Sequence, residues 1–203
     1  MNNRYSVLYK FKLAIFVVAT KLLCRKARLF RFPIDLRGRN YIDFGYSLTT
    51  GVGCRFEAFD GDGQRKKRII FGKNVQVNDY VHISAMDCVK IGDNVLMASH
   101  IYISDNSHGY YEGKNNDSSP LIPPKDRPYK ISPVKIGDNI WIGEGVIIMP
   151  GVEIGSGSII GAHSIVNKNI PSNCIAVGTP AKVIKRYSFE SQKWEKVTQN
   201  TQI

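Results

Sequence analysis

Among the side chains able to do acid–base chemistry, the four histidines, His82, His100, His108 and His163, are the most informative. His108 stands in I-S-D-N-S-H-G (103–109), directly after Asp105 and Asn106 and before a long Pro- and Tyr-rich stretch. A neutral imidazole has an ordinary pKa of about 6.5, so it takes a proton from a hydroxyl near neutral pH. Asp105 and Asn106, with Asn78 in V-N-D-Y-V-H-I (77–83), have the side chains to hydrogen-bond the hydroxyls of a polar acceptor, and His82 closes the same motif. Asn and Asp equally favour turns, so the sequence leaves both roles open for them. Three histidines on zinc is the rival use of this set. The cysteines, Cys24, Cys54, Cys88 and Cys174, are scattered with no C-x-x-C, which argues against a structural zinc site and against a disulfide framework.

The elements that must position these groups announce themselves by a period of six. Ile136, Ile142, Ile148, Ile154, Ile160 and Val166 form one series, with Ile140, Val146, Val152, Ser158, Ser164 and Ile170 four residues after each. Glycine follows most of the first set, at Gly137, Gly143, Gly155 and Gly161. Ile91, Met97 and Ile103 repeat the pattern, as do Phe71, Val77 and Ile83 and, more weakly, Ile42, Leu48 and Cys54. Neither a helix of 3.6 residues per turn nor plain strand alternation has this period. Short strands joined by tight corners do, with aliphatic side chains turned inward and three units closing a triangular coil. The fold class predicted is therefore all-β, a parallel β-helix. The period breaks at 55–68 and at 109–133, and a long loop leaving a rigid repeat directly after His108 is a place for function.

The charge is lopsided. The chain carries a net +11, and residues 1–33 hold Arg4, Lys10, Lys12, Lys21, Arg25, Lys26, Arg28 and Arg31 with no acid. The apolar run Leu13–Ala19 is far short of the ~20 residues that span a bilayer. The segment reads as a basic amphipathic helix that either lies on an anionic membrane face or packs on the body of the protein. No recognition motif for nucleic acid accompanies the charge. At the other end, 187–197 is expected to form a short helix that buries Phe189 and Trp194.

The motifs I-G-D-N-V-L-M-A (91–98), S-H-G (107–109), I-G-D-N-I-W-I-G (136–143), P-G-V-E-I-G (150–155) and G-T-P-A-K-V-I (178–184) resemble those of the hexapeptide-repeat acyltransferases. G-V-G-C-R-F-E-A-F (51–59), V-N-D-Y-V-H-I, S-S-P (118–120) and Y-S-F-E-S-Q-K-W-E-K (187–196) extend the likeness to bacterial O-acetyltransferases of lipopolysaccharide O-antigen synthesis. The resemblance implies a left-handed coil, a homotrimer, and acetyl-CoA as co-substrate with no metal. It implies acetylation of a sugar hydroxyl, on a sugar or lipid-linked glycan, by a cytoplasmic enzyme with possible contact to the inner face of the cytoplasmic membrane.

By the same resemblance His108 is the catalytic base, and Asn78, His82, Asp105 and Asn106 are candidates for binding the acceptor. Trp141, Gly143, Gly161, Ala162, Lys168, Lys182 and Lys185 are candidates for binding coenzyme A, whose pantetheine arm needs an apolar slot and whose phosphates need cations. Glu144 and Asn167 depart from the serine and threonine of related sugar acetyltransferases. The organisation expected is a helix over 1–33, an acyltransferase domain over 34–187 with an acceptor loop at 109–133, and a helix and tail over 188–203.

Overall fold

The computed structural model describes residues 6–60, 63 and 65–197. Its strands stack in three parallel ladders, the faces of a triangular prism. The first face runs from Leu29–Phe30 through Thr49–Thr50, Gln76–Val77, Leu96–Met97, Trp141–Ile142 and Ile159–Ile160 to Cys174–Val177. The second runs from Ile34–Arg37 through Cys54–Ala58, His82–Ala85, Tyr102–Ser104 and Ile147–Ile148 to Ile165–Val166. The third holds Ile42–Asp43, Ile69–Phe71, Val89–Ile91, Val134–Ile136 and Glu153–Ile154.

The six-residue series are the core. Ile136, Ile142, Ile148, Ile154, Ile160 and Val166 are all at most 1% exposed, and the weak first set Ile42, Leu48 and Cys54 is buried as well. Each buried aliphatic side chain contributes roughly 1.5–3 kcal/mol. The residues four positions on also point inward, which explains two serines in the second series. Ser158 Oγ donates to the Pro171 carbonyl at 2.8 Å, and Ser164 Oγ donates to the Gly161 carbonyl at 2.7 Å. Burying these hydroxyls is tolerable only because they are bonded. Glycine after the inward residue has a steric cause. A Cβ on Gly143 would lie 2.6 Å from the Ala162 nitrogen of the next coil, and one on Gly161 would lie 2.6 Å from Val177 Cγ1.

Two expectations at the ends are corrected. The N-terminal helix, α1, spans Val7–Leu23 and not the whole of 1–33; Ser6 caps it by accepting the Tyr9 N–H. Cys24 is extended, Lys21 Nζ bonds the carbonyls of Arg25 and Ala27, and Leu29–Phe30 already forms the first rung of the prism. There is no C-terminal helix over 187–197. Lys182–Ser188 and Lys193–Lys196 instead form an antiparallel hairpin that extends the first face. Cys174–Val177 would otherwise be an open edge, and the hairpin supplies backbone partners for its N–H and C=O groups. Trp194 pairs with Tyr187 across the hairpin and stacks edge-on at 5.3 Å, while Phe189 at the turn remains exposed.

Candidate active site

A cleft of about 440 Å³ opens on the second face and on the corner that leads to the third. Its floor comes from equivalent outward positions on consecutive coils. His82 and Tyr102 are in one register, and Glu57, Ser84 and Ser104 in the next. Its wall is the excursion that leaves the corner after Ser104. That excursion is an ordered hairpin whose stem pairs Asn106–His108 with Tyr129–Ile131. His108 therefore sits at the cleft opposite Tyr129, their rings 4.6 Å apart, with its carbonyl accepting the Tyr111 hydroxyl at 2.6 Å. Further out, Asp117 accepts the N–H groups of Glu112 and Gly113. Hydrogen bonds from Lys114 and Lys130 hold the Glu112 carboxyl down to about 2.

At the other end of the cleft lies a buried carboxylate. Glu57 is 4% exposed, and its oxygens accept from Arg37 Nη1 at 2.7 Å, Arg55 Nη2 at 2.6 Å and His82 Nε2 at 2.7 Å. Burial pushes this carboxyl up, but the hydrogen bonds and charges of Arg55 and His82 outweigh it and leave it below its ordinary value. A His82 that donates Nε2–H to Glu57 keeps Nδ1 as an acceptor when neutral. Its ring leans on Tyr102 at 5.1 Å. Asn106 lies between the two histidine-bearing walls, its amide donating to Asp105 at 3.0 Å and reaching Ser84 Oγ at 3.5 Å.

Two residues read as acceptor contacts lie elsewhere. Asp105 is fully buried, and its carboxylate accepts the N–H groups of Met86, Asp87 and Cys88 at 2.8, 2.7 and 2.7 Å. It pins the root of the excursion and does not line the cleft. Asn78 sits at the corner between the first and second faces, with its carbonyl accepting from Cys54 Sγ, and is also outside the cleft. In compensation, Glu57, Ser84, Tyr102, Ser104 and Tyr129 line it and were not singled out from the sequence. The repeat held a signal for three of them: Glu57, Ser84 and Ser104 each follow an inward residue of one ladder, Phe56, Ile83 or Ile103.

The residues assigned to coenzyme A divide between two edges. Trp141 projects outward from the first face, 52% exposed, in register with Leu96 below and Ile159 above. The same column continues through Ile175 to Lys185, and Lys182 pairs with Val177 beside it. Gly143, Gly161 and Ala162 form the adjoining corner between first and second faces. Lys168 is on the other edge, at the corner between second and third faces that also bears the His108 excursion. Within one chain, Trp141 and His108 are thus on different sides of the prism.

Residues 133–168 match the family described as bacterial transferase hexapeptide (six repeats). The chain is 43% identical over 196 residues to WbbJ of Escherichia coli K12, a protein named for lipopolysaccharide biosynthesis O-acetyl transfer, and the match covers 97% of each chain. Among solved structures, it resembles a maltose O-acetyltransferase of Clostridium difficile 630 with a TM-score of 0.52 and 34% identity, covering 71% of this chain and 68% of that one. A variant of AntD, an N-acyltransferase of Bacillus cereus solved with dTDP-4-amino-4,6-dideoxyglucose and coenzyme A, shares the fold with a TM-score of 0.66 at 22% identity, over 94% of both chains. The six-residue coil, the His108 excursion at its corner and a relative matching almost end to end make this chain a member of the hexapeptide-repeat acyltransferases, with their left-handed β-helix.

Proposed function

We propose that the protein transfers the acetyl group of acetyl-CoA to a sugar hydroxyl during synthesis of lipopolysaccharide O-antigen or a related surface polysaccharide. The observation that carries this reading is the exposed imidazole of His108 at the wall of a cleft whose floor is lined by hydroxyls, an amide and a second histidine. His108 removes the proton as the sugar oxygen attacks the thioester carbonyl carbon, and the carbon–sulfur bond then breaks. The imidazolium returns its proton to the departing thiolate. His82, held by Glu57, and Asn106 orient the acceptor hydroxyls; Asp105 binds backbone N–H groups and Asn78 sits at a neighbouring corner, both outside the cleft. The thioester is already activated, so positioning and proton transfer suffice without a covalent enzyme intermediate.

Two half-sites per chain call for a neighbour. The outer side of the third face carries Lys90, Lys135 and Glu153, whereas the outer sides of the first and second carry Leu96, Trp141, Tyr102 and Ile147. Laying the first face of one copy on the second face of the next is a head-to-tail contact that closes into a ring. We assign the active form as a homotrimer, in which Trp141, Gly143, Gly161, Ala162, Lys182 and Lys185 of one copy receive coenzyme A opposite His108 and Lys168 of another. The enzyme works in the cytoplasm, at the inner face of the cytoplasmic membrane.

The test is His108→Ala in a strain lacking the native protein, read as O-acetyl content of the surface glycan and, in vitro, as radiolabelled acetyl transfer. Transfer should fall by about 10²–10⁴-fold, while stabilisation by added coenzyme A in a thermal-shift assay persists. Undiminished transfer overturns the assignment.

A further inference from the structure

Helix α1 seats only one side on the prism. Thr20 is wholly buried and accepts the Phe30 N–H at 2.7 Å, and the Phe16 ring rests on Phe32 at 5.5 Å. The opposite side is uncovered: Val7, Leu8, Phe11, Ile15, Val18 and Leu22 are between 52% and 83% exposed. At 3.6 residues per turn these six fall within an arc about 100° wide. Lys10 and Lys21 border the arc on one side and Lys12 on the other, and Arg25, Lys26 and Arg28 are exposed just beyond the helix. No helix among the described residues is long and apolar enough to cross a membrane.

An apolar stripe edged by lysines, in a segment without a single acid, is complementary to an anionic bilayer. The stripe enters the acyl boundary, and the stems of Lys10 and Lys12 lie along it with their ammonium groups among headgroup phosphates, while Lys21, bonded to the Arg25 and Ala27 carbonyls, adds its charge from the helix end. A second copy of the helix is a poorer occupant, because it would set the same cations against themselves. The helix leaves the first coil of the prism, and the cleft begins with Glu57 on the second coil and ends with Met149 on the fifth. At about 4.8 Å per coil, the cleft lies only about 5–19 Å along the prism from the coil that carries the helix.

We infer that α1 lies in the surface of an anionic membrane and that the acceptor is a glycan carried on a membrane lipid, not a free nucleotide sugar. This rests on the acetyl transfer proposed above. The experiment compares the native protein with Phe11→Glu/Ile15→Glu, two positions on the uncovered side and remote from the cleft. Flotation with phosphatidylcholine vesicles containing phosphatidylglycerol should carry the native protein, with binding about tenfold or more weaker for the variant and for vesicles of phosphatidylcholine alone. Radiolabelled acetyl-CoA is then supplied with an organic-solvent extract of the cell envelope in such vesicles, or with the water-soluble sugar-nucleotide pool of the same cells. Label should enter the lipid extract, and about tenfold less with the variant. Label confined to the water-soluble pool, equal flotation of both proteins, or a variant that changes only the oligomeric state each overturns the inference while leaving acetyl transfer intact. Label in neither fraction, from protein that floats, overturns the acetyl-transfer reading itself.

Discussion

Glu57 shows how the cleft is built to hold charge. Its carboxylate has left water, and three cationic or cation-capable groups replace the lost hydration. Because Arg37 and Arg55 are about half exposed, the cluster contributes less than a fully enclosed ion pair would. Glu57→Gln should lower stability by about 1–2 kcal/mol and loosen His82, raising KM for the acceptor more than it lowers kcat. The pH dependence has a fixed sign. The carboxyl is ordinarily half-protonated near 4.5 and is held lower in the folded protein, so its stabilisation is complete above that value. It disappears as pH falls through the depressed folded pKa. Urea unfolding of both proteins across acid pH should show a gap that is constant near neutrality and closes below about pH 4.5. A gap that persists or widens in acid would mean that Glu57 acts through packing and not through charge.

The coil is where sequence and structure agree most closely, because a solenoid repeats one requirement many times. Every sixth side chain must fill the same narrow interior, and the next residue must let the neighbouring coil approach. At Gly92 a Cβ would lie 2.7 Å from the backbone of Gly137. Gly92→Ala should therefore destabilise by about 1–3 kcal/mol through overpacking, seen as a lower urea midpoint at an unchanged m-value; a neutral substitution would show that the coils have slack to separate. The hairpin at 182–196 escaped the sequence for the opposite reason. It occurs once, its exposed positions carry lysines, and its only apolar cross-strand pair is Tyr187 with Trp194, which reads equally well as one side of a helix. Asp105 and Asn106 mark the same limit at the site. Adjacent residues of similar chemistry were indistinguishable until the backbone bend turned one into the corner, onto three N–H groups, and left the other at the cleft. His108 was legible because it stands where the period stops; Glu57 was not, because nothing local says that a strand carboxylate will meet a histidine 25 residues away.

At the scale of the whole molecule, the three faces differ in how much apolar surface they leave exposed. Lys90, Lys135 and Glu153 face solvent on the third, with Lys135 and Glu153 paired at 2.8 Å. On the first face Leu96 is 40% and Trp141 52% exposed, and on the second Tyr102 is 38% and Met149 40%. Large apolar side chains grouped on exposed faces are costly to leave in water and are signs of an interface, here alongside polar neighbours such as Gln76 and His82. In the proposed trimer these apolar side chains lie at the contact that joins the Trp141 side of one copy to the His108 cleft of the next, so assembly and catalysis would depend on the same contact. Leu96→Glu places a charge in the first-face column without touching the cleft or its own coil's interior. It should convert a sedimenting trimer to monomer and remove acetyl transfer with the His108 cleft intact. Mixing Leu96→Glu protein with His108→Ala protein should then restore part of the activity, since the undamaged first face of the His108→Ala copy docks on the undamaged second face of the Leu96→Glu copy, which still carries His108. A native protein that sediments as a monomer yet transfers acetyl at full rate would place the whole site within one chain, and the separation of Trp141 from His108 would need another explanation.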